Sequence, residues 1–407
     1  MPTTTPRSLI SRWPEWAGYA AALWSLGYGL LGAAWALGAP GFPWGASDPD
    51  LDGALSILAD AAPSPGGWWI AAFGLLGAVV ALTLSRTGGS EPIRHAPTLS
   101  RGGGSDPILH APTTTRGSGR GLASFKLLLT PLLLAWPMAV LLIIVIPDSR
   151  LMMGVAYSPL LAVAPLFDLN LGGTTLADAW PWPVVNQLVC VFGGLLLAAA
   201  ALAYQRRRRD ACHSCGRTGW DGWTKPAAAA RWGRRAVYIA VTVPLVYCAT
   251  RWCWALGVPL GVSKEFLDEG ARDAPGIWLA GAYLATFGAG GGLLTLGLVQ
   301  RWGEVFPRWI LGLRGKRVPP LLAVIPATLV AIIITVAGMT YIRGWIAGRF
   351  LMSEWGAWLP ETLWPVWGGA LATAALAYHL RRRGQCRHCG QGDDDRARAE
   401  GSTLIVS

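Results

Sequence analysis

YQRRRRDACHSCG, at residues 204–216, returns as YHLRRRGQCRHCG at residues 378–390 and divides this 407-residue chain into two similar halves. Both copies follow an apolar run that ends in Ala-Leu-Ala-Tyr, and in both a C-x-x-C-G turn begins eight residues after the tyrosine. We name the turns at residues 212–216 and 386–390 the first and second knuckles. The duplication predicts two repeats that each end in a knuckle.

The composition is that of a membrane protein. Hydrophobic residues make up 53% of the chain and charged residues only 14%, against roughly a quarter charged in soluble domains. Several apolar runs are long enough to cross a bilayer, which takes about 20 residues in a helix. Many of the 23 tryptophans stand at the ends of these runs, where indole rings prefer to lie at headgroup level.

The basic residues indicate orientation and not a nucleic-acid partner. The net charge is +11, but the arginines and lysines flank apolar runs and have no base-stacking aromatic residues interleaved with them. Short loops rich in Lys and Arg stay in the cytoplasm. We therefore predict a multi-pass plasma-membrane protein, embedded in the lipid bilayer, with both termini and both knuckles cytoplasmic.

Eight apolar runs are predicted to span the membrane, an even number that agrees with two cytoplasmic termini. They lie near residues 17–37, 67–85, 126–147, 183–204, 237–258, 276–298, 318–341 and 363–380. Residues 151–171 are also apolar, but this segment contains Pro159 and Pro165, and a crossing there would place Arg206–Arg209 outside. We interpret it as an outer re-entrant or interfacial segment.

The two halves match along their length. The element Trp-Ala-Leu-Gly at residues 35–38 returns at residues 254–257, a shift of 219, and the knuckles match at a shift of 174. The shift only shrinks along the chain, so the helices keep their order while the loops of the first half are longer. Because four spans per unit is an even number, both units insert the same way up. The predicted fold is all-α, with eight transmembrane helices as two tandem four-helix repeats in parallel orientation.

The predicted domain organisation follows from these matches. Residues 86–120 are rich in Gly, Ser, Pro and Thr and carry a smaller repeat of period 15, a composition that predicts a disordered cytoplasmic linker. The remaining segments are a first unit at residues 1–85 and 121–216, a connector at 217–235, a second unit at 236–390 and a cytoplasmic tail at 391–407.

Three short elements resemble a group of actinobacterial multi-pass membrane proteins whose four-helix, WALG-type units are domains of unknown function. These elements are the two Trp-Ala-Leu-Gly copies, WGEVFPRW at residues 302–309 and PLGVS at residues 259–263. The resemblance covers most of the helical part and leaves out residues 86–120. It implies an integral protein of a bacterial plasma membrane and carries no activity.

The knuckles have the form of a metal-binding turn. Two thiolates three residues apart grip one ion, and the following glycine permits the tight turn. Cys212, Cys215, Cys386 and Cys389 therefore form a candidate four-cysteine site for zinc or another thiophilic metal. The alternatives are thiol–disulfide redox chemistry, two separate sites completed by His213 and His388, and a functionless pair of duplicated turns.

The other candidate residue is Arg251, which falls inside the fifth predicted span. It either snorkels to the outer interface or faces a cavity on a transport path. Asn186 and Gln187 are expected to form hydrogen bonds between packed helices, and the remaining cysteines to be buried apolar residues.

Two functions follow from these observations. No catalytic motif was found, so we predict no catalytic residues and no enzyme. The favoured function is a non-catalytic scaffold or regulator with a zinc clamp between its halves. The alternative is a small-solute transporter or channel that uses the interface between the repeats. The sequence identifies neither a protein partner nor a solute.

Overall fold

The computed structural model of the chain describes residues 12–48, 56–86, 122–167, 175–212, 214–218, 222–308, 310, 312–386 and 388–392, with side chains from residue 131 onward in the third of these segments. Within these ranges the chain is all-helical, apart from one antiparallel bridge between Val305 and Arg317. The predicted disordered linker at 86–120 and the predicted tail at 391–407 lie almost wholly outside the described residues.

Five helices form the described part of the first half. They are α1 (Trp13–Ala36), α2 (Pro63–Arg86), α3 (Leu122–Val140), α4 (Ser149–Val163) and α5 (Trp182–Arg208). A single π-helical turn, Leu141–Val145, continues α3. Pro131 and Pro137 lie inside α3, and each removes a backbone donor from the helical ladder.

Six helices form the described part of the second half. They are α6 (Pro226–Ala255), α7 (Lys264–Asp273), α8 (Ile277–Leu296), α9 (Pro320–Ile346), α10 (Leu359–Thr362) and α11 (Trp364–Arg382). Residues 297–319 join α8 to α9 through a hairpin at the end of the molecule where the knuckles lie.

Six helices of the described residues are long and apolar enough to cross a membrane. Five coincide with predicted spans: Pro63–Arg86, Trp182–Arg208, Pro226–Ala255, Ile277–Leu296 and Pro320–Ile346. The sixth is Ser149–Leu166, the segment for which the sequence predicts an interfacial or re-entrant position. The other three predicted spans also form helices, α1, α3 and α11, which do not belong to the six. Tryptophan and tyrosine side chains in both α1 and α11, and arginine side chains in α11, lower their mean hydropathy.

Small residues allow the closest helix contacts in the first half. Helix α1 packs along α2, and α5 packs against α1 and α3. At the crossing of α1 and α2, a side chain on Gly74 would approach the Gly29 Cα to 2.6 Å, which is too close for any Cβ. Small residues at such positions let the backbones of membrane helices approach each other. In the second half, α6 packs against α8 and α11, and α9 packs against α11.

The two halves also touch away from the knuckles. Helix α4 packs against α9. From α9, Arg343 donates hydrogen bonds to the carbonyl oxygens of Val145 (2.7 Å) and Pro147 (3.2 Å). These two residues lie at the end of the π-helical turn that continues α3. The guanidinium thus satisfies carbonyl groups that the interrupted helix leaves without partners.

Buried hydrogen bonds fix α5 within the first half. The amide of Asn186 donates to the hydroxyl of Tyr28 (3.1 Å), and the amide of Gln187 donates to a carboxylate oxygen of Asp148 (2.8 Å). Arg150 binds Asp148 and also Asp48 of the segment between α1 and α2. The prediction that Asn186 and Gln187 join packed helices is therefore confirmed.

Candidate metal centre

The four knuckle cysteines form one cluster. Their Sγ atoms all lie within 4.8 Å of one another. The Sγ atoms of Cys212 and Cys386 are 3.9 Å apart, and those of Cys215 and Cys389 are 3.6 Å apart. All four cysteines are free thiols, since a disulfide requires about 2.05 Å between its sulfur atoms. Each of the two contacts joins one half of the chain to the other.

Each knuckle folds into the same turn. In the first, the N–H of Gly216 donates to the carbonyl oxygen of Cys212 (2.7 Å), and in the second the N–H of Gly390 donates to that of Cys386 (2.8 Å). The two glycines have φ angles of +69° and +70°. Side chains with a Cβ rarely adopt this conformation, so the glycine that ends each C-x-x-C-G motif is required by the turn.

The arginine clusters before the knuckles tie the helix ends to their neighbours. Arg207, in the last turn of α5, donates to the carbonyl oxygens of Pro14 (2.9 Å) and Leu84 (2.6 Å). At the end of α11, Arg382 donates to the carbonyl oxygen of Val318 (2.8 Å), and Arg381 forms an ion pair with Glu304 (3.1 Å). These bonds fix the direction in which each knuckle leaves its helix. Sequence reasoning treated the clusters as orientation signals and missed this role.

Two arginines cross from one knuckle to the other. Arg217 donates to the carbonyl oxygens of Gln391 (2.7 Å), Gly384 (3.1 Å) and Arg383 (3.2 Å). In the opposite direction, Arg383 donates to the carbonyl oxygen of Cys215 (3.3 Å). Sequence reasoning missed Arg217, although its place directly after the knuckle glycine was a usable signal.

Hydrogen bonds prepare one thiol for a cation. Burial alone would raise the pKa of Cys386, but hydrogen bonds from the backbone N–H groups of Cys389 and His388 and from neighbouring thiols lower it to about 6. Burial raises the pKa of Cys215 to about 12, and hydrogen bonding with neighbouring thiols adds to the rise. A bound cation would favour the thiolate form of the other cysteines, because thiolates are the metal-binding species.

The structure does not place a histidine with the cysteine cluster among the described residues. The group of described residues able to hold a metal consists of the four cysteines and does not include His388, which is exposed. The other predicted second-site ligand, His213, lies outside the described residues.

Cys190 and Cys248 are buried as predicted, while Cys253 is only partly buried. The two buried thiols are not purely apolar in their contacts: Cys248 donates to the carbonyl oxygen of Ala285 (3.1 Å), and Cys190 lies 3.4 Å from the hydroxyl of Tyr28.

Arg251 lies far from the knuckles, at the other end of α6. Its guanidinium forms an ion pair with Glu361 of α10 and lies over the rings of Trp254 (4.2 Å) and Tyr247 (4.7 Å). Its side chain is only 11% exposed and that of Glu361 only 1%. Sequence reasoning missed Glu361, because it precedes the last predicted span and stands 110 residues after its partner.

Comparison with protein-family models, with curated proteins and with solved structures gives no match. The resemblance to WALG-type membrane proteins therefore stays a prediction. What can be said of function rests on the geometry of this chain.

Loss of the Arg217 guanidinium and its three hydrogen bonds is expected to weaken metal binding. The substitution Arg217→Met removes three hydrogen bonds to carbonyl oxygens on either side of the second knuckle. Loss of residues that hold metal ligands in position typically costs 10- to 100-fold in metal affinity. Competition with a chromophoric chelator measures the zinc Kd of the purified chain. Arg217→Lys keeps the charge but removes the paired N–H donors, so it separates the two contributions. Arg231→Met, at an exposed position of α6, is the matched control. A zinc Kd within threefold of wild type for Arg217→Met would contradict the assigned role.

Proposed function

We propose that this chain is a polytopic plasma-membrane protein that acts as a non-catalytic scaffold or regulator, with one zinc ion joining its halves on the cytoplasmic side. The spacing of the four sulfur atoms carries the proposal. Four thiolates at about 2.3 Å from one tetrahedral ion lie about 3.8 Å apart. Two contacts between the knuckles, at 3.6 and 3.9 Å, match that spacing, and all four sulfur atoms lie within 4.8 Å of one another.

The pairing of the sulfur atoms favours one shared ion over two separate ones. The contacts of 3.6 and 3.9 Å bring each cysteine of one knuckle against a cysteine of the other, and arginine hydrogen bonds join the two knuckle segments in both directions. A site in one knuckle alone would need ligands in addition to its two cysteines. Four thiolates also complete a tetrahedral shell and leave no position for a substrate, which favours a structural role for the metal.

The proposed architecture is eight spans in two parallel four-helix units. The packing order supports it: in each half the first span contacts the second and the fourth, and the third contacts the fourth. In each half the fourth span leads to a knuckle with the same turn, and the knuckles meet at one end. The basic residues near the knuckles support a cytoplasmic position for that end, because short loops rich in Lys and Arg stay in the cytoplasm.

Helix α4 belongs to the outer side in this arrangement. Near its beginning Arg150 binds Asp48 of the first outer loop, and further along Ser158 accepts a hydrogen bond from Trp180, just before α5 (2.9 Å). Both partners lie at the end of the molecule opposite the knuckles. A helix held there at two points stays at the outer interface although it is long enough to cross.

The transport alternative loses its motivating residue. Arg251 forms its ion pair with Glu361 and donates to the carbonyl oxygens of Gly356 and Ala357, all in the second half. Two apolar cavities, of about 470 and 600 Å³, are each lined by residues of a single half, and neither includes Arg251. A solute path between the repeats therefore has less support than a scaffold.

A split chain tests whether the metal joins the halves. A protease site inserted at residues 219–221 permits the purified protein to be cut between the halves, and size-exclusion chromatography then measures the fraction that co-elutes. We expect that a chelator, or the double substitution Cys212→Ser and Cys386→Ser, lowers this fraction several-fold. His388→Ala, in the same knuckle, is expected to behave as wild type. Equal co-elution with and without metal would contradict the clamp.

A further inference from the structure

An apolar cleft runs between α8 and α9 with α11 behind it. Its volume is about 470 Å³, within the range of ligand pockets. Gly291 and Leu294 of α8, Ala323 and Ala327 of α9 and Leu371 of α11 are among its lining residues. These positions belong to the ends of α8 and α9 that face the knuckle side. The cleft thus lies at the depth of the bilayer closest to that face.

A basic groove adjoins the cleft. It is formed by the hairpin between α8 and α9 and is lined by three arginines, Arg301, Arg308 and Arg314. Three further residues line both spaces: Trp302, Phe306 and Pro307. Because the two spaces share a wall, one elongated molecule can occupy both. We name the two spaces together the cleft–groove site.

The positive charge of the groove is not neutralised within the described part of the chain. None of the ion pairs found there involves Arg301, Arg308 or Arg314. The acidic residue of the hairpin, Glu304, is engaged by Arg381 (3.1 Å) and Arg382 (3.8 Å) of α11. The groove therefore presents guanidinium groups at the level where lipid headgroups meet the protein.

The hairpin that carries these arginines is held in place. Two backbone hydrogen bonds, both 3.0 Å, join its two arms. The N–H of Phe306 donates to the carbonyl oxygen of Lys316, and the N–H of Val318 donates to the carbonyl oxygen of Glu304. The hydroxyl of Tyr378 donates to the carbonyl oxygen of Gly303 (2.6 Å). A preformed site spends less ordering entropy when a ligand binds.

We propose that the cleft–groove site binds an anionic phospholipid, with an acyl chain in the cleft and the phosphate among the three arginines. A neutral lipid would leave the guanidinium groups without a counter-charge. A soluble phosphate compound would leave the apolar cleft unused. Arginine recognises phosphate oxygens through paired N–H donors, and basic residues at a membrane face attract anionic lipids. The inference rests on the proposed membrane placement and not on the metal.

Lipid binding to the full-length purified chain tests the proposal. Native mass spectrometry in detergent measures the apparent Kd for phosphatidylglycerol and for phosphatidylcholine with the same acyl chains. We expect tighter binding of phosphatidylglycerol, and a loss on the order of 100-fold when the three groove arginines are replaced by glutamine. The matched control removes the same charge from exposed positions of α6 that line neither space. It combines Arg231→Gln, Arg234→Gln and Arg235→Gln, and its Kd is expected to stay within about threefold of wild type.

A second pair of variants tests the cleft. Gly291 lines the cleft, and a Cβ there would meet nothing within 4 Å. The neighbouring Gly290 has equal room on the helix but does not line the cleft. Gly291→Trp is expected to weaken phosphatidylglycerol binding at least tenfold, and Gly290→Trp to leave it unchanged. Zinc content, measured on the same samples, is expected to equal that of wild type in every variant.

Three results would overturn the proposal. The first is equal affinity for the two lipids, the second is equal loss in the groove variant and its control, and the third is glycerol phosphate binding as tightly as phosphatidylglycerol. The last would identify a soluble phosphate ligand. Failure of lipid binding with zinc content intact would leave the clamp standing, so the two proposals fail separately.

Discussion

Replacement of Glu361 by alanine is expected to lower the free energy of unfolding by about 3–5 kcal/mol, because it leaves a buried guanidinium without its counter-charge. The side chain of Glu361 is 1% exposed and that of Arg251 is 11% exposed. Few water molecules can reach Arg251 to replace the lost carboxylate. Thermal or denaturant unfolding of the purified protein in detergent measures the change.

The surroundings of Arg251 show what remains after the substitution. Its guanidinium still donates to the carbonyl oxygen of Gly356 (3.0 Å) and lies over the rings of Tyr247 and Trp254. Cation–π contacts contribute about 0.5–2 kcal/mol, less than the cost of an unpaired buried charge. The residual contacts therefore offset only part of the loss.

Two control variants separate the ion pair from general effects of substitution. Glu15→Ala breaks the exposed pair between Arg12 and Glu15, whose side chains are 53% and 54% exposed, and is expected to cost less than about 1 kcal/mol. The double variant Arg251→Met, Glu361→Met replaces the whole pair with apolar groups and is expected to recover most of the stability lost in Glu361→Ala. A cost below 1 kcal/mol for Glu361→Ala, or no recovery in the double variant, would contradict a stabilising buried pair.

Removal of zinc is expected to lower the stability of the chain by about 4 kcal/mol when the zinc concentration is about 1,000 times the Kd. The reason is that the proposed ion would bind four thiolates that only the folded chain brings together. Unfolding measured with zinc and with a chelator gives the difference. The single substitution Cys386→Ser is expected to abolish nearly all of it, because the other three cysteines belong to the same site.

The non-additivity of cysteine substitutions distinguishes one site from two. With a single shared ion, adding Cys212→Ser to Cys386→Ser changes the zinc-dependent stability little further. With one ion in each knuckle, the two substitutions would each remove about half of it. His388→Ala serves as the matched control and is expected to retain the full difference. A chelator effect of the same size in Cys386→Ser and in wild type would contradict the shared site.

The cluster of four cysteines was predictable because the relevant pattern is local and duplicated. A C-x-x-C-G turn needs only five consecutive residues, and its recurrence after two similar helices predicts that both turns lie on one side of the membrane. The parity of the predicted spans gives no contact between the knuckles, and it is the structure that brings the four sulfur atoms within 4.8 Å of one another. The structure agrees on the cysteines, while the architecture of eight spans in two repeats stays a proposal.

The residues that sequence reasoning missed depend on contacts between distant segments. Glu361 lies in the four-residue helix α10, and nothing near it in the sequence indicates that its partner is in α6. The hydrogen bonds of Arg207 run to the backbone oxygens of Pro14 and Leu84, which have no sequence signature. From the sequence, a basic cluster indicates only membrane orientation, because hydropathy gives no information on which group each arginine contacts.

The segment Ser149–Leu166 shows where composition alone is insufficient. Its length and hydropathy qualify it to cross a membrane. In the proposed arrangement its outer position follows instead from the contacts of Arg150 and Ser158 with distant residues, Asp48 and Trp180. A hydropathy window counts apolar residues but carries no information on such contacts.

Metal content of the detergent-purified protein is the measurement that matters most for the proposed clamp. Wild type is compared with the double variant Cys212→Ser, Cys386→Ser by elemental analysis at known protein concentration. We predict one zinc ion per chain in wild type and none in the variant. Two ions per chain would indicate separate sites with additional ligands. No metal in a wild type with all four thiols intact would contradict the clamp.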